Sequence, residues 1–489
     1  MLFNSLQFLV FFSTVAILFF VVPPRFQWIV LLLSSCIFYM AFIPIYILIL
    51  FLLITIDYFA GILIARSRGR AKFNFLLASI ISTCLVLAIF KYFYFINNNF
   101  SSVAHLIHLQ YPNITLRIIL PIGLSFHTFQ SLSYVIEVYR GKQKPERHFC
   151  IYALYVMFFP QLVAGPIERP QNLLGQFYKH HQFEYDRVMA GLKLMAWGML
   201  KKVVIADRLA VVVNMVYDNP HQHCGVLLII ATIFFAFQIY TDFSGYSDIA
   251  RGAAQVLGFK LMFNFRNPYL SQSVSEFWRR WHISLSSWFK DYVYIPLGGN
   301  RVSEIRRYAN LLVTFTISGL WHGASWNFVI WGFINGLFVC AEVFLGNVTG
   351  GFTRIFPAMN RLPLFFRCVR VGVTFLLICC AWVFFRASTF GDACYILTHL
   401  FSNIPLNIKD LAEAFSIKAL GLSRIQFFFA AICIIILIVQ NIISESFGIT
   451  KLLEKSPLWS RWILNYILIM TIIVFGYYEK KIPFIYFQF

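Results

Sequence analysis

Residues 309–346 read ANLLVTFTISGLWHGASWNFVIWGFINGLFVCAEVFLG, an apolar run interrupted by few polar side chains. A helix crosses the ~30 Å hydrocarbon core of a bilayer in ~20 residues. This run is therefore too long for a single crossing, and it predicts one membrane span together with a partial or tilted one. It contains one histidine, His322, which lies between a tryptophan and a glycine.

Similar apolar runs recur along the whole chain. Its 489 residues are 60% hydrophobic and 12% charged, and its mean hydropathy is +0.73. A soluble domain is about 45–50% apolar and about 25% charged. We therefore predict an all-α polytopic membrane protein with about 11 to 13 transmembrane or re-entrant helices. It would form one domain, with N-terminal helices in residues 1–165, a catalytic core in 166–346 and C-terminal helices in 347–489.

The net charge of +20 comes from 40 Lys and Arg against 20 Asp and Glu. The basic residues lie in short loops between apolar runs, which is the positive-inside pattern of membrane proteins and not that of a nucleic-acid-binding domain. We expect the lipid bilayer, and no nucleic acid, as a partner. Residues 65–72 and 139–148 should be cytoplasmic, and the base-free residues 96–115 should be outside.

The sequence offers little support for a metal or a permanently bound cofactor. None of the ten cysteines forms a CxxC pair, and nothing near residues 221–224 (HQHC) completes a metal site. The pair His181 and Asp186 has an HxxxxD spacing that arises easily by chance. The chain contains no GxSxG, Walker or dinucleotide-binding motif.

Residues 240–301 depart from span-like composition and are expected to be cytoplasmic. Residues 278–288 place tryptophans and a leucine at i, i+3, i+7 and i+10, which predicts one apolar stripe of a helix with basic residues on its other faces. Such a helix suits either a membrane interface or an anionic donor, and the sequence leaves both open. The nine basic residues of this region and its edge are Arg251, Lys260, Arg266, Arg279, Arg280, Lys290, Arg301, Arg306 and Arg307.

His322 is a candidate general base. An ionisable residue inside a membrane segment is a functional candidate by default, and a neutral imidazole can take the proton of a hydroxyl group. Gly319 and Gly323 flank it and would leave room for a substrate. The structural alternative is a histidine that bonds a carbonyl of a neighbouring helix, with glycines that ease helix packing.

Two blocks carry a family resemblance: EFWRRWHISLSSWFKDYVYIPLGGNR (276–301) and GLWHGASWNFVIWG (319–332). They resemble the membrane-bound O-acyltransferases, and most of all the bacterial branch that O-acetylates alginate or peptidoglycan. Further similar stretches are residues 120–141, 158–170, 240–252 and the tail PFIYFQF (483–489). The resemblance implies a helical funnel through the membrane. It also implies that His322 and His282 are the catalytic histidines, His322 matching the family's catalytic position.

The resemblance further implies an acetyl group that arrives on a cytoplasmic thioester, with acetyl-CoA as the donor, and leaves on the outer face of a bacterial inner (plasma) membrane for a cell-envelope polysaccharide. We expect a separate extracytoplasmic SGNH-type acetyltransferase partner to complete delivery. The two blocks also supply the candidate substrate-binding residues. These are Trp281, Arg279, Arg280, Asp291, Asn300, Trp321 and Asn327.

Two other functions stay open. Within the family, the alternative is transfer of D-alanine from a carrier protein to teichoic acid. In a different class, the chain would be a secondary transporter, with Asp57, Glu137 and Asp242 as coupling residues. Turnover of a thioester by the purified protein separates either transferase from a transporter.

Overall fold

A computed structural model describes residues 1–109, 111, 120–162, 165–349, 363–402, 421–447, 456–478 and 482–487. Within these ranges the regular structure is helical and contains no strand. This confirms the all-α prediction, and it follows from the absence of water in a bilayer, where a helix satisfies its own backbone groups.

Seven helices of the described chain are long and apolar enough to cross a membrane, which confirms a multi-pass protein. The apolar helices Leu6–Val21 and Pro24–Met40 are shorter. The sequence prediction of about 11 to 13 helices covers transmembrane and re-entrant helices together. The seven long helices are Pro44–Arg66, Gly69–Leu106, Val226–Val256, Trp326–Gly346, Leu364–Arg386, Arg424–Ser446 and Leu458–Phe475.

The chain divides into two compact units. The first comprises residues 1–198 and 246–262, and the second comprises 199–245 and 263–489. The helix Val226–Val256 therefore contributes to both. The α-helices of the first unit, apart from that shared helix, are Leu6–Val21, Gln27–Met40, Ile47–Arg66, Gly69–Leu87, Phe93–Leu106, Leu124–Tyr139, Phe149–Met157, Phe159–Leu162, Pro170–Leu173 and Tyr185–Met199.

The second unit contains both candidate histidines. Its described residues also include the π-helices Leu200–Ala206 and Lys290–Tyr294 and the short 3-10 helix Ile485–Phe487. Its α-helices, besides the first part of Val226–Val256, are Asp207–Tyr217, Val274–Arg280, Ile283–Phe289, Glu304–His322, Trp326–Thr349, Pro363–Arg386, Phe390–His399, Arg424–Phe447 and Leu458–Phe475.

The long apolar run at 309–346 folds as two helices, Glu304–His322 and Trp326–Thr349, joined by residues 323–325. Two glycines let these helices touch. A Cβ on Gly319 would lie 2.2 Å from the carbonyl oxygen of Phe328, and one on Gly332 would lie 2.3 Å from that of Phe315. The glycines therefore allow direct backbone contact within this helical hairpin.

Candidate functional site

His322 is the last residue of the helix Glu304–His322, at the tip of the hairpin. Its side chain is buried, and aromatic rings surround it. Ring centroids lie 5.0 Å away for Trp331, 5.6 Å for Phe385 and 5.6 Å for Tyr486. These rings leave His322 only 5% exposed, so its imidazole lies in a mostly apolar environment.

The glycines beside His322 serve packing and not substrate space. Gly319 meets the partner helix of the hairpin, and a Cβ on Gly323 would lie 2.1 Å from the ring of Phe328. The interpretation that Gly319 and Gly323 leave room for a substrate is therefore wrong, because neighbouring atoms already fill that space. Close packing of the hairpin instead fixes the position of His322.

His282 lies at a break in the chain. The apolar stripe at 278–288 predicts one continuous helix. This prediction is wrong, because the structure has two short helices, Val274–Arg280 and Ile283–Phe289. Between them, His282 adopts the left-handed region with φ of 42°. That conformation is uncommon for a residue with a side chain, and such residues cluster at functional sites.

Hydrogen bonds from an upstream segment hold this break in place. The backbone N–H of Ile283 donates to the carbonyl of Asn264 at 2.9 Å, and the N–H of Arg266 donates to the carbonyl of Arg280 at 3.0 Å. The hydroxyl of Ser284 donates to the side-chain oxygen of Asn264 at 2.6 Å. These bonds satisfy polar groups at the ends of the two short helices, where the helical hydrogen-bond pattern is interrupted.

The His282 side chain is buried among aromatic rings. It meets Phe243 edge-on at 4.6 Å and lies 6.4 Å from both Trp321 and Tyr486. Burial lowers the pKa of His282 to about 3, so the imidazole is neutral at physiological pH. A neutral imidazole can accept one proton and donate another, which suits it to acid–base chemistry or to orienting a polar substrate group.

Tyr486 connects the two histidines, since its ring lies beside both. The family resemblance includes the tail 483–489, but it assigns Tyr486 no place in the site. No spacing rule could have done so, because the residue is far from both histidines along the chain. Gln488 and Phe489 of this tail lie outside the described residues.

The two candidate tryptophans have different surroundings. Trp281 is 1% exposed and stacks on Phe277 at 5.3 Å, with Trp382 at 5.1 Å, as a core residue does. Trp321 is also buried, but its ring lies 4.9 Å from His322 and 6.4 Å from His282. Of the two, Trp321 is therefore the one whose ring lies near both histidines.

The remaining polar candidates are spread over the second unit. The side-chain amide of Asn327 is buried and donates to the carbonyl of Ala387 at 2.8 Å, which ties the hairpin tip to the end of Pro363–Arg386. Asp291 is half-buried in the π-helix Lys290–Tyr294, and Asn300 is exposed in the loop that follows. A direct substrate contact of these three residues stays a prediction.

A cleft of about 250 Å³ opens beside the histidine motifs. It is mostly apolar but carries two cationic side chains, Arg279 and Lys290. Two of its lining residues lie about one helical turn from a candidate histidine: Ser286 from His282 and Ser318 from His322. The cleft is therefore formed by the same stretches of sequence that carry the two histidines. Its lining residues are Ser275, Trp278, Arg279, Ser286, Phe289, Lys290, Tyr294, Leu311, Thr314, Phe315, Ser318 and Val339.

The neighbouring arginines 279 and 280 differ in their surroundings. Arg279 is exposed and lines the cleft. Arg280 forms ion pairs with Glu276 at 2.6 Å and with Glu445 at 2.9 Å. Its guanidinium group is thus paired with two carboxylates, whereas Arg279 adds positive charge to the cleft.

The carboxylates of the transporter alternative have local partners. Asp57 accepts hydrogen bonds from Ser79 at 2.6 Å and from Thr83 at 3.3 Å. Glu137 accepts one from the Gln171 amide at 2.8 Å. Asp242 pairs with a buried lysine and accepts a backbone hydrogen bond. Each of these carboxylates therefore has a structural explanation.

The residues of two weaker sequence patterns also have local structural partners. The ring of His181 packs 4.3 Å from that of Phe259 and bonds the carbonyl of Gln176 at 2.9 Å. His221 of the HQHC stretch pairs with Asp392 at 3.2 Å. In the described part of the chain, no three or more His, Cys, Asp or Glu side chains group as metal ligands would.

Fold and site together define a class of protein: a multi-pass helical membrane protein with buried histidines in an aromatic wall, beside a cleft with basic side chains. A family model for the membrane-bound O-acyltransferases matches residues 143–380. The chain belongs to this membrane-bound O-acyltransferase family, and it is an O-acyltransferase.

Three relatives differ in how much of the chain they match. A probable alginate O-acetylase of Pseudomonas aeruginosa is 37% identical over 418 residues, which cover 85% of this chain and 77% of that protein. A peptidoglycan O-acetyltransferase of Helicobacter pylori is 35% identical over 401 residues, covering 76% and 73%. A teichoic acid D-alanyltransferase of Bacillus subtilis is 28% identical over 237 residues, covering 46% and 59%.

Proposed function

We propose that this protein moves an acetyl group from a cytoplasmic thioester, acetyl-CoA, to a cell-envelope polysaccharide pathway across a bacterial plasma membrane. The observation that carries this proposal is the placement of His322: a buried imidazole at the end of a helix, enclosed by aromatic rings, in a family of O-acyltransferases. Acetyl transfer is favoured over D-alanyl transfer because the acetylating relatives match more of the chain at higher identity.

In this proposal His322 is the general base. Its neutral imidazole takes the proton of the acceptor hydroxyl, whose oxygen forms a bond to the acyl carbon while the carbon–sulfur bond breaks. The proton then passes to the departing thiolate. The thioester is already activated, so no nucleotide site is required in this chain. General-base assistance typically contributes about 10²–10⁴-fold to the rate.

His282 and Trp321 would orient the reacting groups. His282 has a left-handed backbone and lies near Tyr486, and the ring of Trp321 lies near both histidines. A rigid wall of this kind holds donor and acceptor at a fixed separation, and positioning contributes to rate because it replaces a bimolecular encounter. Asp291, Asn300 and Asn327 would support substrate binding from the same two motif blocks.

The cleft lined by Arg279 and Lys290 would receive the donor. Acetyl-CoA carries several phosphate charges, which favour a basic approach, and a pantetheine arm is slender enough for an apolar cleft. The positive charge of residues 251–307 would place this approach on the cytoplasmic side.

On the outer face, we propose that an extracytoplasmic SGNH-type acetyltransferase accepts the group and completes delivery to the polysaccharide. Alginate and peptidoglycan are the substrate types that the names of the two acetylating relatives suggest. The protein would reside in the bacterial inner membrane, where cytoplasmic donor and external acceptor both reach it.

The test uses purified protein in proteoliposomes, with labelled acetyl-CoA and labelled D-alanyl carrier protein as competing donors. We expect turnover of acetyl-CoA that depends on alginate or peptidoglycan fragments and the secreted partner, and loss of this turnover in His322→Ala. Turnover of the D-alanyl donor alone would replace the acetyl proposal. Solute uptake without any thioester turnover would support the transporter class instead.

A further inference from the structure

A buried charge cluster lies in the second unit, apart from the two histidines. Lys202 extends its ammonium group to 2.8 Å from Asp207 and 2.9 Å from Asp242. The lysine side chain is fully buried, and the two carboxylates are 3% exposed. Burying three charged groups is costly unless they are paired, so this cluster requires an explanation.

The local backbone brings this cluster together. Lys202 lies in the π-helix Leu200–Ala206, and Asp207 begins the α-helix that follows. In a regular α-helix, side chains five residues apart point in different directions. A π-turn instead bonds residue i to residue i+5, so it brings the side chains of Lys202 and Asp207 onto the same side of the helix. Isolated π-turns are frequently found at functional sites.

The cluster binds the C-terminal segment 482–487. One oxygen of Asp242 faces Lys202, and the other accepts the backbone N–H of Ile485 at 2.9 Å. Lys202 also lies within 3.4 Å of the carbonyl oxygen of Ile482. Just upstream, the N–H of Tyr477 donates to the carbonyl of Val203 at 2.8 Å.

The residue after Ile485 is Tyr486, whose ring lies beside both His322 and His282. Asp242 is followed by Phe243, which meets His282 edge-on at 4.6 Å. One carboxylate therefore joins two pieces of the aromatic wall: the helix that bears Phe243 and the tail that bears Tyr486.

We propose that Asp242 is a positioning residue that fixes the C-terminal segment in the catalytic cluster, and that Lys202 and Asp207 orient its carboxylate for this purpose. The expected effect of Asp242 on acyl transfer rests on the function proposed above. The role of Asp242 in placing the tail is independent of that function. Asp242 acts through Tyr486 and does not contact the reacting groups.

Two substitutions test this proposal, one in the charge cluster and one in the tail. Asp242→Asn removes the ion pair with Lys202. Ile485→Pro removes the N–H that Asp242 accepts but leaves the buried charges intact, and proline is tolerated at the first position of a helix. The controls are Asp218→Asn, which removes an exposed ion pair with Arg386, and Ile485→Val, which keeps the N–H.

Two measurements are made on each variant in proteoliposomes: amide exchange by mass spectrometry, and transfer kinetics with acetyl-CoA. For Asp242→Asn and Ile485→Pro we expect faster exchange confined to the peptide 476–489. We also expect kcat to fall by on the order of 10²-fold with the donor KM nearly unchanged, because misplacing a positioning element by about 1 Å has that effect. Both controls should match the wild type.

Unchanged exchange in the tail, or a loosened tail with full activity, would overturn the proposal. Exchange that rises throughout the second unit in both variants would overturn it too, by showing a general folding role. The exchange measurement is independent of turnover. If His322→Ala kept full activity, the proposed function would fail while the tail result still decided the role of Asp242.

Discussion

The ring of Tyr486 lies 5.6 Å from the imidazole of His322, and it approaches from a segment far from the histidine in sequence. The same tyrosine reaches His282 at 6.4 Å. The two motif histidines therefore share a polar aromatic neighbour that neither motif contains. The phenol hydroxyl is the group that distinguishes Tyr486 from the phenylalanines around it, since it adds a hydrogen-bonding group to an otherwise apolar wall.

Tyr486→Phe should keep the fold and lose most of the acyl transfer. The ring remains to fill the aromatic cluster, while the hydroxyl of this residue, which lies beside both histidines, is removed. We expect a fall in kcat of on the order of 10²-fold, similar to the loss of a positioned acid–base group. Transfer of labelled acetyl from acetyl-CoA measures it.

The matched control is Phe484→Tyr, which adds a hydroxyl elsewhere in the same segment; the two rings lie 5.5 Å apart. Full activity of Tyr486→Phe would show that the residue serves packing alone.

Gly319→Ala should displace His322 by disturbing the packing of the helical hairpin that carries it. Its new methyl group would lie 2.2 Å from the Phe328 carbonyl and 2.9 Å from the Cα of Gly332, so the hairpin helices must separate. Overpacking of this kind costs about 1–3 kcal/mol of folding free energy and displaces His322. We expect a lower melting temperature and lower kcat.

The control is Gly372→Ala, where, among the described residues and apart from the backbone of its own helix, no atom lies within 4 Å of the new Cβ. That change should be neutral or stabilising, because alanine favours a helix over glycine by about 1 kcal/mol. A wild-type melting curve for Gly319→Ala would contradict the close-packed hairpin.

Part of this architecture can be predicted from the sequence on physical grounds. The long apolar run at 309–346 exceeds one membrane crossing, and it forms two helices. The break at His282 was not readable, because the tryptophan spacing at 278–288 fits a helix. The bonds from Asn264 and Arg266 that interrupt it come from a distant segment. The pairing of Asp242 with Lys202 depends on tertiary contact in the same way.

The stability of the folded protein should depend on pH through His282. Its pKa is about 3 in the folded protein, below the ordinary value of 6.5. Below pH 6.5 the unfolded chain takes up a proton that the folded protein does not, so stability falls as pH falls. The loss is about 1.4 kcal/mol for each pH unit between these two values.

The measurement is thermal unfolding in detergent at pH 8 and pH 5 for the wild type and His282→Gln. Glutamine does not titrate, so the variant should lose less stability between the two pH values, whatever its absolute melting temperature. Equal losses in both proteins would contradict a neutral, buried His282. His180→Gln is the control, since that histidine is exposed.

Residues 251–307 should face the cytoplasm and residues 96–109 the outside, given their difference in basic residues. Single cysteines at Ser303→Cys and Ser102→Cys, in a chain otherwise without cysteine, report this orientation. An impermeant thiol reagent should label intact cells at position 102 only. Residues 110 and 112–115 of the predicted outer segment lie outside the described residues. Labelling at position 303 in intact cells would reverse the proposed side of donor entry.

The neighbouring arginines give a matched pair for donor binding. Arg279 lines the cleft, whereas Arg280 is bound by Glu276 and Glu445. Arg279→Ala should raise the apparent KM for acetyl-CoA more than it lowers kcat. The effect should be larger at low salt, since the screening length shortens from about 10 Å at 0.1 M to about 3 Å at 1 M. Arg280→Ala should instead lower the melting temperature, because Glu276 loses its ion-pair partner.

Kinetics in neutral detergent, without lipid, separate donor binding from an attachment to anionic lipid. Under those conditions a donor-binding Arg279 still lowers KM, whereas a lipid anchor has no effect. Lys290→Ala, at the other basic side chain of the cleft, should reproduce the Arg279→Ala change. If both cleft variants kept the wild-type KM in detergent while remaining folded, the donor would enter elsewhere, and the basic residues of this region would serve the membrane surface.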